Sequence, residues 1–129
     1  MAQRQIAPYA DRMRFFADGA EVFPGVTAVH LPGHTPGHCG YLIASGGASL
    51  LIWGDTIHLP EVQVPRPEVT IAFDVDPAQA AATRRRVFDM VATEGTHVAG
   101  CHVHFPGTAH LAREGGGYRL YPDAWSQVL

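Results

Sequence analysis

Apolar residues fall in short runs broken by glycine and proline along most of this chain, with one longer amphipathic run between residues 76 and 94. Glu21–Phe23 and Val26–Leu31 carry β-branched and aromatic residues on either side of Pro24-Gly25, which predicts two strands or a hairpin. Tyr41–Ala44 and Leu50–Trp53, separated by Ser45-Gly46-Gly47, predict a second hairpin whose later strand is buried on both faces. Residues 56–73 contain Pro60, Pro65 and Pro67 and are expected to form an irregular loop. The helix predicted at about 76–94 has a good N-cap in Asp76, proline at its first position in Pro77, and Gln79 placed to close a capping box. Ala80, Ala81, Val87, Phe88, Val91 and Ala92 form its apolar stripe, Arg84, Arg85 and Arg86 are expected on its solvated side, and Gly95 stops it. His97–Cys101 and Tyr118–Tyr121 predict two more short strands. Residues 1–13 are weakly patterned and read as a loose lead-in to a single α/β domain over 1–129.

Composition narrows the function classes. The chain is 47% hydrophobic and 16% charged, with a net charge of −3, so no basic field points to nucleic acid or an anionic membrane surface. No run approaches the roughly 20 apolar residues that cross a bilayer. Met1–Ala10 has Arg4 but no apolar stretch behind it, unlike a signal peptide. The cytosol is therefore the default compartment, with an upstream export signal in a longer parent left open. Cys39 and Cys101 are too few for a disulfide scaffold and lack CxxC spacing; each is expected to be a small buried residue, with a metal role open for Cys101.

Histidine changes the picture. Of eight in the chain, six lie in two segments, residues 30–38 and 97–104. Leu31-Pro32-Gly33-His34-Thr35-Pro36-Gly37-His38 cannot be ordinary helix, because two prolines remove donors and two glycines open turn geometries. It is a shaped loop presenting imidazoles, the commonest protein ligands for transition metals. His34 follows the strand Val26–Leu31, Asp55 follows Leu50–Trp53, and His102 follows His97–Cys101. All three thus sit beyond strand ends, where α/β folds place ligands. A carboxylate between two imidazole loops can bridge two cations, and paired metals supply hydroxide at neutral pH.

Pro32-Gly33-His34-Thr35-Pro36-Gly37-His38, Gly54-Asp55 and a histidine after a late strand resemble the carboxyl-terminal half of metallo-β-lactamase-fold hydrolases. Cys101-His102-Val103-His104-Phe105-Pro106-Gly107, followed by His110-Leu111 and Gly117-Tyr118-Arg119-Leu120, is most similar to the methyl parathion hydrolase branch. The resemblance implies half of an αββα sandwich, a mixed sheet with one main helix. It implies a hydrolase that attacks an ester, lactone or phosphotriester with metal-bound hydroxide. His34 would complete a three-histidine first metal site, Asp55 would bridge both metals as the catalytic carboxylate, and His102 would ligate the second. His38 would orient the loop or a ligand from behind. His58 would line the substrate pocket, and His104 and His110 are open as contacts to substrate or metal; His30 and His97 belong to strands, with no site role. Zinc is the expected metal, in one or two ions, with manganese, iron or cobalt also compatible.

One departure matters. The family's His-x-His-x-Asp-His motif is absent; only His102-x-His104 occurs, with Phe105-Pro106 after it. A dinuclear site then needs ligands from solvent or another chain. Half a sandwich also leaves a sheet face without its partner, and several hundred Å² at roughly 25 cal/mol per Å² costs on the order of 10 kcal/mol. The chain is therefore expected to self-associate, to bind a complementary amino-terminal half, or to be marginally folded. The alternative is a non-catalytic metal-binding or interaction module of the same fold.

Overall fold

The computed structural model describes residues 2–127. Seven strands form one sheet in chain order: β1 (Glu21–Phe23), β2 (Val26–His30), β3 (Cys39–Ser45), β4 (Ala48–Ile52), β5 (His97–Ala99), β6 (Thr108–Glu114) and β7 (Gly117–Pro122). Every adjacent pair is antiparallel except β4 and β5. A parallel pair needs a crossover, and here residues 53–96 supply it through the one-turn helix α2 (Pro60–Gln63) and the long helix α3 (Pro77–Glu94). The short helix α1 (Ala2–Ile6) and a 3-10 turn over Ala7–Arg12 precede the sheet. The lead-in thus takes up helical turns, but no residue from Gln3 to Arg12 is buried.

Asp76 Oδ1 accepts the Gln79 backbone N–H at 2.9 Å, and Gly95 ends the helix in the left-handed region. The reciprocal half of the capping box does not form: the Asp76 N–H donates to the Gly33 carbonyl at 2.9 Å, and the Gln79 side-chain NH₂ donates to Thr83 Oγ1. Val87, Phe88 and Val91 are buried against the sheet, packing with Leu31, Leu51, Trp53, Val98, Ala109 and Leu111, and Ala80 and Ala81 are buried as well.

Two sequence expectations need correction. Arg84 is not on the solvated side of α3; it is 1% exposed. Its Nε donates to the Thr56 carbonyl at 2.8 Å, and its Nη1 to those of Pro67 and Val69, each at 2.8 Å. These bonds reach across to the crossover loop, which is why a cation is tolerated in the core. Gln63, fully buried, holds the same loop from within: Oε1 accepts from the His58 and Leu59 amides, and Nε2 donates to the Val69 carbonyl. The segment 56–73 is thus a pinned loop containing α2.

The second correction concerns β4. Cross-strand pairing aligns Leu42, Leu51, Val98 and Ala109 under α3. The next row, Tyr41, Ile52, Ala99 and Thr108, faces the other way. Leu51 is fully buried, but Ile52 is 39% exposed, since α3 covers one face only. On the opposite face the Phe16 ring approaches Tyr41, with centroids 6.3 Å apart.

The His34 loop is docked on the amino end of α3. Thr83 Oγ1 donates to the Pro32 carbonyl, the Asp76 amide to Gly33, and the Val75 amide to His34. Gly33 has φ +131°, and a Cβ there would lie 2.3 Å from the Ala80 nitrogen. Gly33→Ala is therefore expected to cost about 3 kcal/mol through combined strain and overpacking. That should lower the melting temperature by roughly 10 °C in a thermal scan. A fall below about 3 °C would show that the loop yields.

Candidate metal centre

Asp55 sits in a short 3-10 turn, Gly54–Thr56, just beyond β4, and His102 in the loop beyond β5. Because β4 and β5 are parallel, their carboxyl ends emerge side by side. The ladder continues past β4 through Trp53 N–H donating to the Ala99 carbonyl at 3.0 Å. His34 arrives from the loop between β2 and β3. His34 Nε2 lies 3.6 Å from Asp55 Oδ2, and His102 Nε2 lies 3.3 Å from Asp55 Oδ1. The carboxylate thus presents a different oxygen to each imidazole.

Second contacts orient these groups. His34 Nδ1 is 3.3 Å from Asp74 Oδ1, an arrangement that keeps the proton on Nδ1 and the Nε2 lone pair toward Asp55. Asp74 is nearly fully buried; its Oδ2 accepts the Ile71 amide and lies 3.9 Å from Arg84 Nη2. His38 Nδ1 donates to the Leu31 carbonyl at 2.8 Å, so its Nε2 is free to accept the Asp55 amide at 3.0 Å. Both His38 nitrogens are engaged in tying the loop to the Asp55 turn. Gly54 makes room for that ring: at φ +52°, a Cβ there would meet His38 Nε2 at 2.7 Å.

His58 stands inside the cluster. Its ring centroid lies 4.8 Å from that of His34 and 4.6 Å from that of His102, and Nε2 is 4.0 Å from Asp55 Oδ1. Burial, reinforced by the two flanking imidazoles, pushes its pKa below the usual histidine value, so the ring is held neutral. Its Nδ1 is buried with no hydrogen-bond partner. Cys101 is exposed rather than buried, with Sγ 3.6 Å from Asp55 Oδ1. The structure does not bring His104 or His110 to this cluster. His104 pairs with Glu61 at 2.5 Å on the rim of a groove of about 410 Å³ that also includes Tyr118 and Arg119. His110 stacks on His97 elsewhere on the sheet. Asp74 was missed in the sequence, where it follows Phe73 in a segment without motif or periodicity.

The donor set fits a divalent transition ion. Ligands at 2.0–2.2 Å in a tetrahedral shell stand about 3.4 Å from one another, close to the 3.3 and 3.6 Å separations between Asp55 and the two imidazoles. Those separations are longer than good hydrogen bonds. Groups of three potential ligands occur as His34, His58 and Asp74, and as Asp55, Cys101 and His102.

The model of the metallo-beta-lactamase superfamily matches residues 10–102. The hydrolase AbOPH, described as a beta lactamase superfamily member, is 34% identical with a TM-score of 0.86, over 97% of this chain and 44% of its own. AidC, a dizinc quorum-quenching lactonase solved with N-hexanoyl-L-homoserine as product, shares the fold at a TM-score of 0.89 and 22% identity, over 97% of this chain and 42% of its own. A probable metal-dependent hydrolase from Staphylococcus aureus shares it at a TM-score of 0.72 and 21% identity, over 93% of this chain and 43% of its own. No curated protein matches. The chain thus spans less than half the length of these solved relatives. No described helix is long and apolar enough to cross a membrane. With its histidine loop, its aspartate and its late histidine converging at one sheet end, and the family model matched over well more than half its length, the chain belongs to the metallo-beta-lactamase superfamily.

Proposed function

We propose that this chain is the carboxyl-terminal portion of a metal-dependent hydrolase acting on an ester, lactone or phosphotriester, in the methyl parathion hydrolase-like branch. The observation that carries the reading is the placement of Asp55 between His34 and His102, one carboxylate oxygen toward each ring. His34, Asp55 and His102 would hold zinc, one or two ions. A bound divalent ion supplies Lewis acidity and lowers the pKa of the water it holds. The chain's own residues supply the rest. Asp74 holds the His34 proton at Nδ1, His38 fixes the Asp55 backbone through its amide, and neutral His58 walls the pocket without adding charge.

The absent His-x-His-x-Asp-His motif and the uncovered sheet face at Ile52 together favour a complementary amino-terminal segment, or a second copy, as partner. The same two observations favour a second reading, a non-catalytic metal-binding or interaction module of the same fold. The test is to load the chain with zinc and follow hydrolysis of an acyl-homoserine lactone, an aryl ester and a phosphotriester. The assay is run with the chain alone and co-expressed with a segment carrying the missing motif. The expected result is slow turnover alone, strong enhancement with the segment, and loss of both in Asp55→Asn. Zinc binding without hydrolysis in either preparation would favour the module; no zinc binding at the cluster would overturn both readings.

A further inference from the structure

The sheet face opposite α3 carries a second cluster that the proposed centre does not use. Val98 pairs with Ala109 and Ala99 with Thr108 across β5 and β6, which sets His97 and His110 side by side on that face. Their rings lie 4.4 Å apart and nearly parallel, at 11°. Asp123 follows the last residue of β7, and its amide donates to the Thr108 carbonyl at 3.0 Å. Its Oδ2 accepts from Thr108 Oγ1 at 2.6 Å and pairs with His97 Nε2 at 2.5 Å. One donor atom from each of His97, His110 and Asp123 lies within 4.8 Å of the others.

We propose that His97, His110 and Asp123 form a second divalent-metal site, for zinc or a similar transition ion, joining β5, β6 and β7. Two imidazole nitrogens and a carboxylate oxygen are a donor set that zinc accepts, with a fourth position left to solvent. The three donor atoms lie within 4.8 Å, with His97 and Asp123 at 2.5 Å, so a tetrahedral shell with edges of roughly 3.4 Å asks the His97–Asp123 pair to part slightly and the His110 ring to turn its in-plane lone pair toward the ion. Side-chain rotation can supply this, since His97 and Asp123 are about a third exposed and His110 is exposed. An ordinary ion pair accounts for His97 and Asp123 alone. It leaves the second imidazole, stacked on the first, with no hydrogen-bond or ion-pair partner among the described residues. A shared cation accounts for all three groups. The Thr108 hydroxyl then does for Asp123 what Asp74 does for His34, fixing the ligand from behind. His97 opens β5 while His102 follows its other end, so the two sites are separate and this inference stands whether or not the chain is a hydrolase.

Zinc alone is the probe. The parent chain and His110→Gln are dialysed against buffered zinc and their bound metal counted, with circular dichroism as a control on folding. Because His110 is exposed and lies outside the core, its replacement loses only the stack on His97 and leaves the packing under α3 intact. The parent should bind one equivalent more than His110→Gln, and Asp123→Asn, which keeps the size of the side chain, should weaken that equivalent at least about tenfold. A His34→Ala/Asp55→Asn chain should retain it. Equal zinc content in the parent and His110→Gln would overturn the proposal.

Discussion

Asp55→Asn is expected to weaken zinc binding at the His34–Asp55–His102 cluster by at least about a hundredfold, beyond the ten- to hundredfold typical of residues that only support a ligand. Both oxygens of Asp55 face imidazole nitrogens, so the substitution puts an amide NH₂ where one ring presents a lone pair and removes the only carboxylate between them. The Asp55 backbone, held by His38, is untouched, and the side chain is 36% exposed, so folding should survive. Competition against a chromophoric chelator, carried out in a His110→Gln background so that the sheet-face cluster does not contribute, reads the effect. Unchanged affinity would mean that the three groups do not share an ion.

Arg84→Ala should be the most damaging single change to stability, at about 3–5 kcal/mol, the range for removing one member of a buried charged pair. Three carbonyls, those of Thr56, Pro67 and Val69, lose a charged donor, and Asp74 is left buried 3.9 Å from where its cation stood. Burial itself pushes the Arg84 pKa down while Asp74 pushes it up, which is the tension expected of a cation stabilised by its partners alone. Because Asp74 orients His34, the same variant should weaken zinc binding even at temperatures where it remains folded. Arg84→Lys should recover little, since an ammonium cannot reach all of these acceptors with a planar fork's geometry. Urea unfolding monitored by tryptophan fluorescence gives the number; a loss under about 1 kcal/mol would show that the loop keeps its shape without the guanidinium.

The two residues just discussed also mark what the amino-acid pattern could and could not disclose. Asp55 was legible because it ends an apolar run, and His34 because its flanking prolines and glycines leave only a loop. α3 was legible at both ends, from Asp76-Pro77 and Gly95, since caps are local chemistry. Arg84 was misread because its neighbours Arg85 and Arg86 make a charged triplet, and burial of one member depends on carbonyls up to 28 positions away. Asp74 escaped for the same reason: its partner His34 is 40 positions distant. β6 escaped because Thr108–Glu114 is rich in alanine, arginine and glutamate, residues that favour helices. Only the alternation of buried Ala109 and Leu111 betrays its pleat. The exposure of Ile52 was hidden because an apolar run does not say whether one face or two are covered.

The lone parallel junction in the sheet has a bearing on how the site would fail. β4 and β5 lie in the interior of a seven-strand ladder, away from both edges, and the turns that follow them carry Asp55 and His102. Amides in such central strands exchange with solvent only when the whole molecule opens. The strand ends beneath the acid and its neighbouring ring therefore have no cheap local route of fraying: they are expected to hold their spacing up to global unfolding, and any earlier loss of chelation must come from the turns themselves.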